Sequence, residues 1–84
     1  MTISPPQCRA ARGLVGLSQA DLASAAGVGI STVRDLETQR RQVSAEMVAA
    51  VRRALERAGV SFIPENGGGL GVRLAKRTSS KRQS

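Results

Sequence analysis

The stretch LSQADLASAAGVGISTVRDLE, Leu17 to Glu37, decides the fold. Ser18 followed three residues later by Asp21 is a helix N-cap with its return partner. Leu22, Ala23 and Ala26 then line one helical face before Gly27. A glycine there takes the left-handed conformation that ends a helix at little cost. Past the break, with Gly29 favoured over Ser31 as the cap, a second helix runs from about Ile30 to Thr38 and buries Val33 and Leu36. The stretch is therefore two short helices joined by a very short turn.

Counting from Gln19 as the first position, the spacing is that of two steeply crossing helices. The fifth residue, where they meet, is the small Ala23, and the ninth, in the turn, is Gly27. Val28, Val33 and Leu36, at the tenth, fifteenth and eighteenth positions, are apolar and point inward. Leu22 and Ala26, at the fourth and eighth, bury the first helix against the rest of the chain. All seven demands are met, which makes the stretch a helix-turn-helix unit.

On the N-terminal side, Ser4 caps, Pro5 opens and Gln7 returns the bond of a first helix. It is predicted over about Pro5 to Leu14, with Cys8, Ala11 and Val15 on one face and an end near Gly13–Gly16. On the C-terminal side, TQRRQV reads as a loop. Ser44 then caps the longest helix, predicted to about Ala58, with Val48, Val51, Leu55 and Ala58 as its apolar stripe. Arg52, Arg53 and Arg57 fall off that stripe and read as a solvated face or dimer rim.

Beyond Gly59 the period changes to two. Val60 and Phe62 alternate, PENGGG makes a turn-rich connection, and Leu70, Val72 and Leu74 alternate again. This is a hairpin pattern. A lone two-stranded hairpin is marginal in water, so it must pack on the helices or pair with another chain. The final KRTSSKRQS is basic and poor in apolar residues, and disorder is expected there. The organisation read is a domain over 1–59, a hairpin over 60–75 that is the candidate dimerisation element, and a tail over 76–84.

Composition narrows the chemistry. Eighty-four residues allow one small domain, and Phe62 is the only aromatic. The core must be built from Ala, Val, Leu and Ile, a small core that a partner subunit would support. Net charge is +7, of which +3 lies before Val60 and +4 after it, so the tail carries most of the excess. That balance suits a polyanionic partner. Cys8 is the only cysteine and histidine is absent, which excludes an internal disulfide, a zinc site of the usual kind and His-dependent triads. With no candidate catalytic set, no enzyme and no cofactor are expected. No apolar run of about 18 residues and no leader pattern occur, so the expectation is a soluble cytoplasmic protein without a membrane role.

The run LVGLSQADLASAAGVGISTVRDLETQRRQV, with SAEMVAAVRRALERAGV after it, resembles the Cro/phage-repressor-like, or XRE, family over roughly Gln7 to Val60. The resemblance implies an all-α, compact four-helix helix-turn-helix domain of the lambda-repressor-like kind, here followed by a short C-terminal β-hairpin. It implies that Gln19 touches a phosphate and braces the second motif helix. Ile30, Ser31, Thr32, Arg34 and Asp35 lie at or beside the positions that family members lay in the major groove. Thr38, Arg40 and Arg41 fall where phosphate contacts are common, and Arg12 and Glu37 match an ion pair joining the first helix to the reading helix. Asp35 and Ile30 depart from the longer polar donors of many relatives, which leaves the base preference open.

The function expected is a sequence-specific regulator of transcription, binding double-stranded DNA at an inverted repeat as a homodimer, nucleoid-associated when bound. Val60, Phe62, Leu70, Val72 and Leu74 are the candidate dimerisation residues. The alternative is a protein-interaction module, such as an antitoxin or anti-regulator, whose C-terminal hairpin holds a protein partner.

Overall fold

The computed structural model describes residues 3–63 and 71–74, and they form four helices and a two-stranded antiparallel sheet. The helices are α1 (Pro5–Val15), α2 (Gln19–Ala26), α3 (Ile30–Thr38) and α4 (Ala45–Arg57), followed by β1 (Val60–Ile63) and β2 (Gly71–Leu74). Among these residues no helix is long and apolar enough to cross a membrane.

The helix ends follow from local chemistry. Ser4 with Gln7, and Ser18 with Asp21, form complete capping boxes, and Ser44 caps α4 through the Met47 amide. Gly29 caps α3 without a side-chain bond, as its lack of a side chain requires. Gly16 and Gly27 close α1 and α2 at φ of 71° and 73°, a region where any Cβ is strained. Gln39 closes α3 at φ 58° without being glycine. Helix α1 runs one residue past the predicted end, because Gly16 rather than Gly13 supplies the stop.

One predicted core position is corrected. Ala58 is the exposed C-cap of α4, and Ala54 takes its place in the stripe with Val48, Val51 and Leu55. The chain leaves the helix there and turns at Gly59, φ 111°, into β1, so Ala58 lies outside the helical register. Leu22, Val33, Val51, Leu55 and Cys8 are the largest fully buried side chains and form the centre of the core. Ile3, ahead of the first helix, is buried with them.

The hairpin packs on its own bundle. Val60 pairs with Leu74 and Phe62 with Val72, so these four share one face of the sheet. Val60 and Phe62 are buried in the core, against α1 and α4. Two polar contacts tie the sheet down: Gln7 Nε2 donates to the Gly71 carbonyl at 3.1 Å, and the Arg52 guanidinium lies 4.9 Å from the centre of the Phe62 ring. Leu70, Ala75 and the tail over 76–84 fall outside the described residues, so the readings made of Leu70 and of tail disorder do too.

Candidate nucleic-acid interface

The scaffold of the site converges on one buried carboxylate. Glu37 sits in the last turn of α3 with its side chain 2% exposed. Arg12 of α1 grips it with two prongs, Nε to Oε2 at 2.7 Å and Nη2 to Oε1 at 2.9 Å. Gln19, the first residue of α2, donates Nε2 to Oε1 at 3.1 Å, and Cys8 Sγ donates to Oε2 at 3.2 Å. Arg9 adds a bond from Nη1 to the Glu37 carbonyl at 2.6 Å, and Arg12 Nη1 reaches the Leu17 carbonyl at 3.1 Å. Helices α1, α2 and α3 are thus joined through a single residue.

Opposing effects act on these groups. Burial pushes the Glu37 carboxyl up, but hydrogen bonds from Arg12, Cys8 and Gln19 outweigh it and hold the group below its ordinary value. Burial, with the hydrogen bond and charge of Glu37, pushes the Cys8 thiol up to about 12. The thiol is thereby kept protonated and able to donate, the opposite of an activated nucleophile.

With α3 held this way, its other faces are free. Val33 and Leu36 point into the core, which turns Ser31, Arg34 and Thr38 outward. Ile30 is 37% exposed at the head of the helix, an apolar side chain on an otherwise polar surface. Thr32 is half-buried, its hydroxyl directed at Met47 Sδ 3.9 Å away on α4. The Thr38 hydroxyl donates to the Arg34 carbonyl at 2.7 Å, so it would donate to a phosphate only by giving up that bond.

Ser31, Asp35, Arg40 and Arg41 line one open concavity. A second concavity shares Asp35, Arg40 and Arg41 and continues over Leu36 and Val43 toward Ile3 and Pro5. The ion pairs among the described residues are Arg12–Glu37 and Arg52–Glu56, so Asp35, Arg40 and Arg41 are committed to neither. The surface therefore carries an anionic acceptor, a hydroxyl and two cations. Such a set matches a base edge flanked by phosphates.

The remaining candidates are placed differently from one another. Gln19 braces α3 through Glu37, using one of its two amide N–H donors there. Val60 and Phe62, expected to face a partner subunit, have their side chains in the chain's own core, because the sheet lies on α1 and α4. Val72 is half-buried against that core, and Leu74, 54% exposed, is the hairpin's outermost apolar side chain among the described residues.

Four side chains have contacts that were not legible in the sequence. Cys8 read as a small core residue, and its spacing of four from Arg12 was the available hint that both reach one target. Arg52 read as part of a solvated face or dimer rim, but it bonds Glu56 at 2.9 Å and stacks on Phe62; Arg9, to which the sequence assigned no role, holds the α3 carbonyl. Arg57 donates to the Ala25 carbonyl at 3.2 Å, tying α4 to the end of α2.

The protein-family model described as Helix-turn-helix matches residues 9–60, more than half of the chain. The match begins inside α1, spans α2 to α4 and ends at the first residue of β1. None of the curated proteins compared with the chain matches it.

Proposed function

The chain belongs to the helix-turn-helix family of Cro/C1 (XRE) type, a family of DNA-binding transcription regulators, and from that premise we propose a specific mode of action for it. Two copies bind an inverted-repeat operator in double-stranded DNA. Each lays α3 in a major groove, with the two reading helices about 34 Å apart. Ile30, Ser31, Arg34 and Asp35 face base edges. Arg40 and Arg41 meet phosphates on the flank, with Thr38 beside them. Phosphate contacts give register and most of the affinity, and the α3 side chains give sequence preference.

The observation that carries this reading is the concavity of Ser31, Asp35, Arg40 and Arg41 along the exposed side and C-terminal end of a helix whose last turn is locked through Glu37. A rigid helix carrying free hydrogen-bonding groups beside free cations is suited to reading a groove. The dimer contact is assigned to the outer part of the hairpin, around Val72 and Leu74, and the working place is the cytoplasm, on the nucleoid.

Footprinting on DNA upstream of its own gene and on selected random DNA, across salt concentrations, tests the proposal. A protected inverted repeat with two half-sites one helical turn apart is expected. Absence of any protected repeat in either pool sinks it. If capture of a protein partner persists while no operator is found, the interaction-module alternative takes its place.

A further inference from the structure

The carboxylate of Glu37 has four acceptor positions, and four donors occupy them. Oε1 takes Arg12 Nη2 and Gln19 Nε2, and Oε2 takes Arg12 Nε and Cys8 Sγ. Cys8 is 0% exposed, so in the folded chain the thiol, and not bulk water, fills that position on Oε2. An S–H is a weak donor, but the acceptor here is a buried charge, where an empty position is costly. Glu37 would recover the missing bond by shifting within its cradle, and Glu37 is part of α3 itself. Asp35 lies two residues before it and Ser31 six before it, so the shift is passed directly to the concavity that both line.

We propose that Cys8 is a positioning residue for DNA reading: its thiol is the fourth donor to the Glu37 carboxylate and fixes the pose in which α3 presents Ser31 and Asp35. The inference rests on the DNA-binding reading above. It assigns a role in recognition to a fully buried side chain that lies outside the helix-turn-helix stretch and never meets DNA. A cysteine that only filled space would affect stability alone.

The test uses the full chain carrying Cys8→Ser, which keeps a donor at nearly the same place, and Cys8→Ala, which removes it. The readouts are the ratio of affinities for the selected operator and for random DNA, taken at a temperature where circular dichroism shows each protein folded, and the melting temperature. Cys8→Ala is expected to lose about three- to tenfold of the ratio, with Cys8→Ser within about twofold of the parent. A Cys8→Ala protein with the parent's ratio, however much less stable, overturns the inference while leaving the regulator reading intact. So does a folded Cys8→Ser protein with a ratio reduced tenfold. Should Cys8→Ala not fold, Cys8→Val, which fills the space without a donor, is read in its place by the same two outcomes. A parent chain that prefers no DNA sequence removes the regulator reading and this inference together.

Discussion

Arg12 presents the Nε–Nη2 edge of its guanidinium to Glu37, with both carboxylate oxygens bonded to it at 2.7 and 2.9 Å. The two residues are 25 positions apart, and their contact spans from the first helix to the last turn of the third. Arg12 is 20% exposed and Glu37 2%, so the pair is asymmetric: the cation borders solvent and the anion does not. The orientation of α3 depends on that anion staying satisfied.

Removing the cation should therefore cost more than removing the pair. Arg12→Ala is expected to destabilise by about 3–5 kcal/mol, because it strands a buried carboxylate. A domain of this size has only about 5–15 kcal/mol in all. The double variant Arg12→Ala/Glu37→Met should recover a large part of the loss. Urea titrations of the four proteins give the coupling, and strictly additive losses would contradict it.

Acid should act through the same carboxyl. Glu37 is held below its ordinary value of 4.5, so the folded state binds a proton less readily than the unfolded state. The stabilisation is then fully present above about pH 4.5 and is lost as pH falls through the lowered folded value. Stability measured by urea between about pH 2 and 6 should drop along that limb. Glu37→Gln should be less stable at neutral pH and should flatten the limb; an unchanged limb assigns it to another group.

On DNA, charge and reading should separate. Arg41→Ala should weaken operator and random DNA alike and reduce the slope of log affinity against log salt by about one. Arg34→Ala should lower the preference for operator over random DNA by about 1–3 kcal/mol at one base position. Equilibrium titrations at several salt concentrations distinguish the two. An intact salt slope in Arg41→Ala removes it from the phosphate contacts.

Within the hairpin, neighbours on one face should behave differently. Phe62→Ala is expected to cost about 3–5 kcal/mol in urea unfolding, since the ring is part of the core. Leu74→Glu should leave monomer stability within about 0.5 kcal/mol and weaken self-association seen by sedimentation. An unaltered dimer in Leu74→Glu would place the subunit contact elsewhere. Deleting the whole segment from Val60 onward is a poor substitute, because it takes Val60 and Phe62 out of the core.

The bundle was legible because its determinants are local. Ser4, Ser18 and Ser44 start helices, Gly16 and Gly27 end them, and Ala23, Val33 and Leu36 recur at the spacing of two crossing helices. The caps act over three or four residues and the motif spacing within the run from Gln19 to Leu36, separations that the sequence displays directly. The hairpin strands were legible for the same reason, through the alternation of Val60, Phe62, Val72 and Leu74. The face that the hairpin would bury was open to two readings, since alternation identifies a buried side without saying what covers it.

What the sequence determined by itself, then, was the order of the elements, the crossing of α2 on α3, and the outward placing of Ile30, Ser31 and Arg34 beside the buried Val33. Only the tertiary structure decided how the polar groups divide their partners. It gave Cys8 and Gln19 to Glu37, Arg9 to the Glu37 carbonyl, Arg52 to Phe62 and Glu56, and it left Asp35, Arg40 and Arg41 outside the ion pairs of the described residues. Apart from Arg52–Glu56, four positions apart on α4, those choices join positions from about ten to about thirty residues apart, where no periodicity reaches. They are set by burial, which makes an unsatisfied carboxylate at Glu37 costly enough to recruit every donor that packing brings within reach.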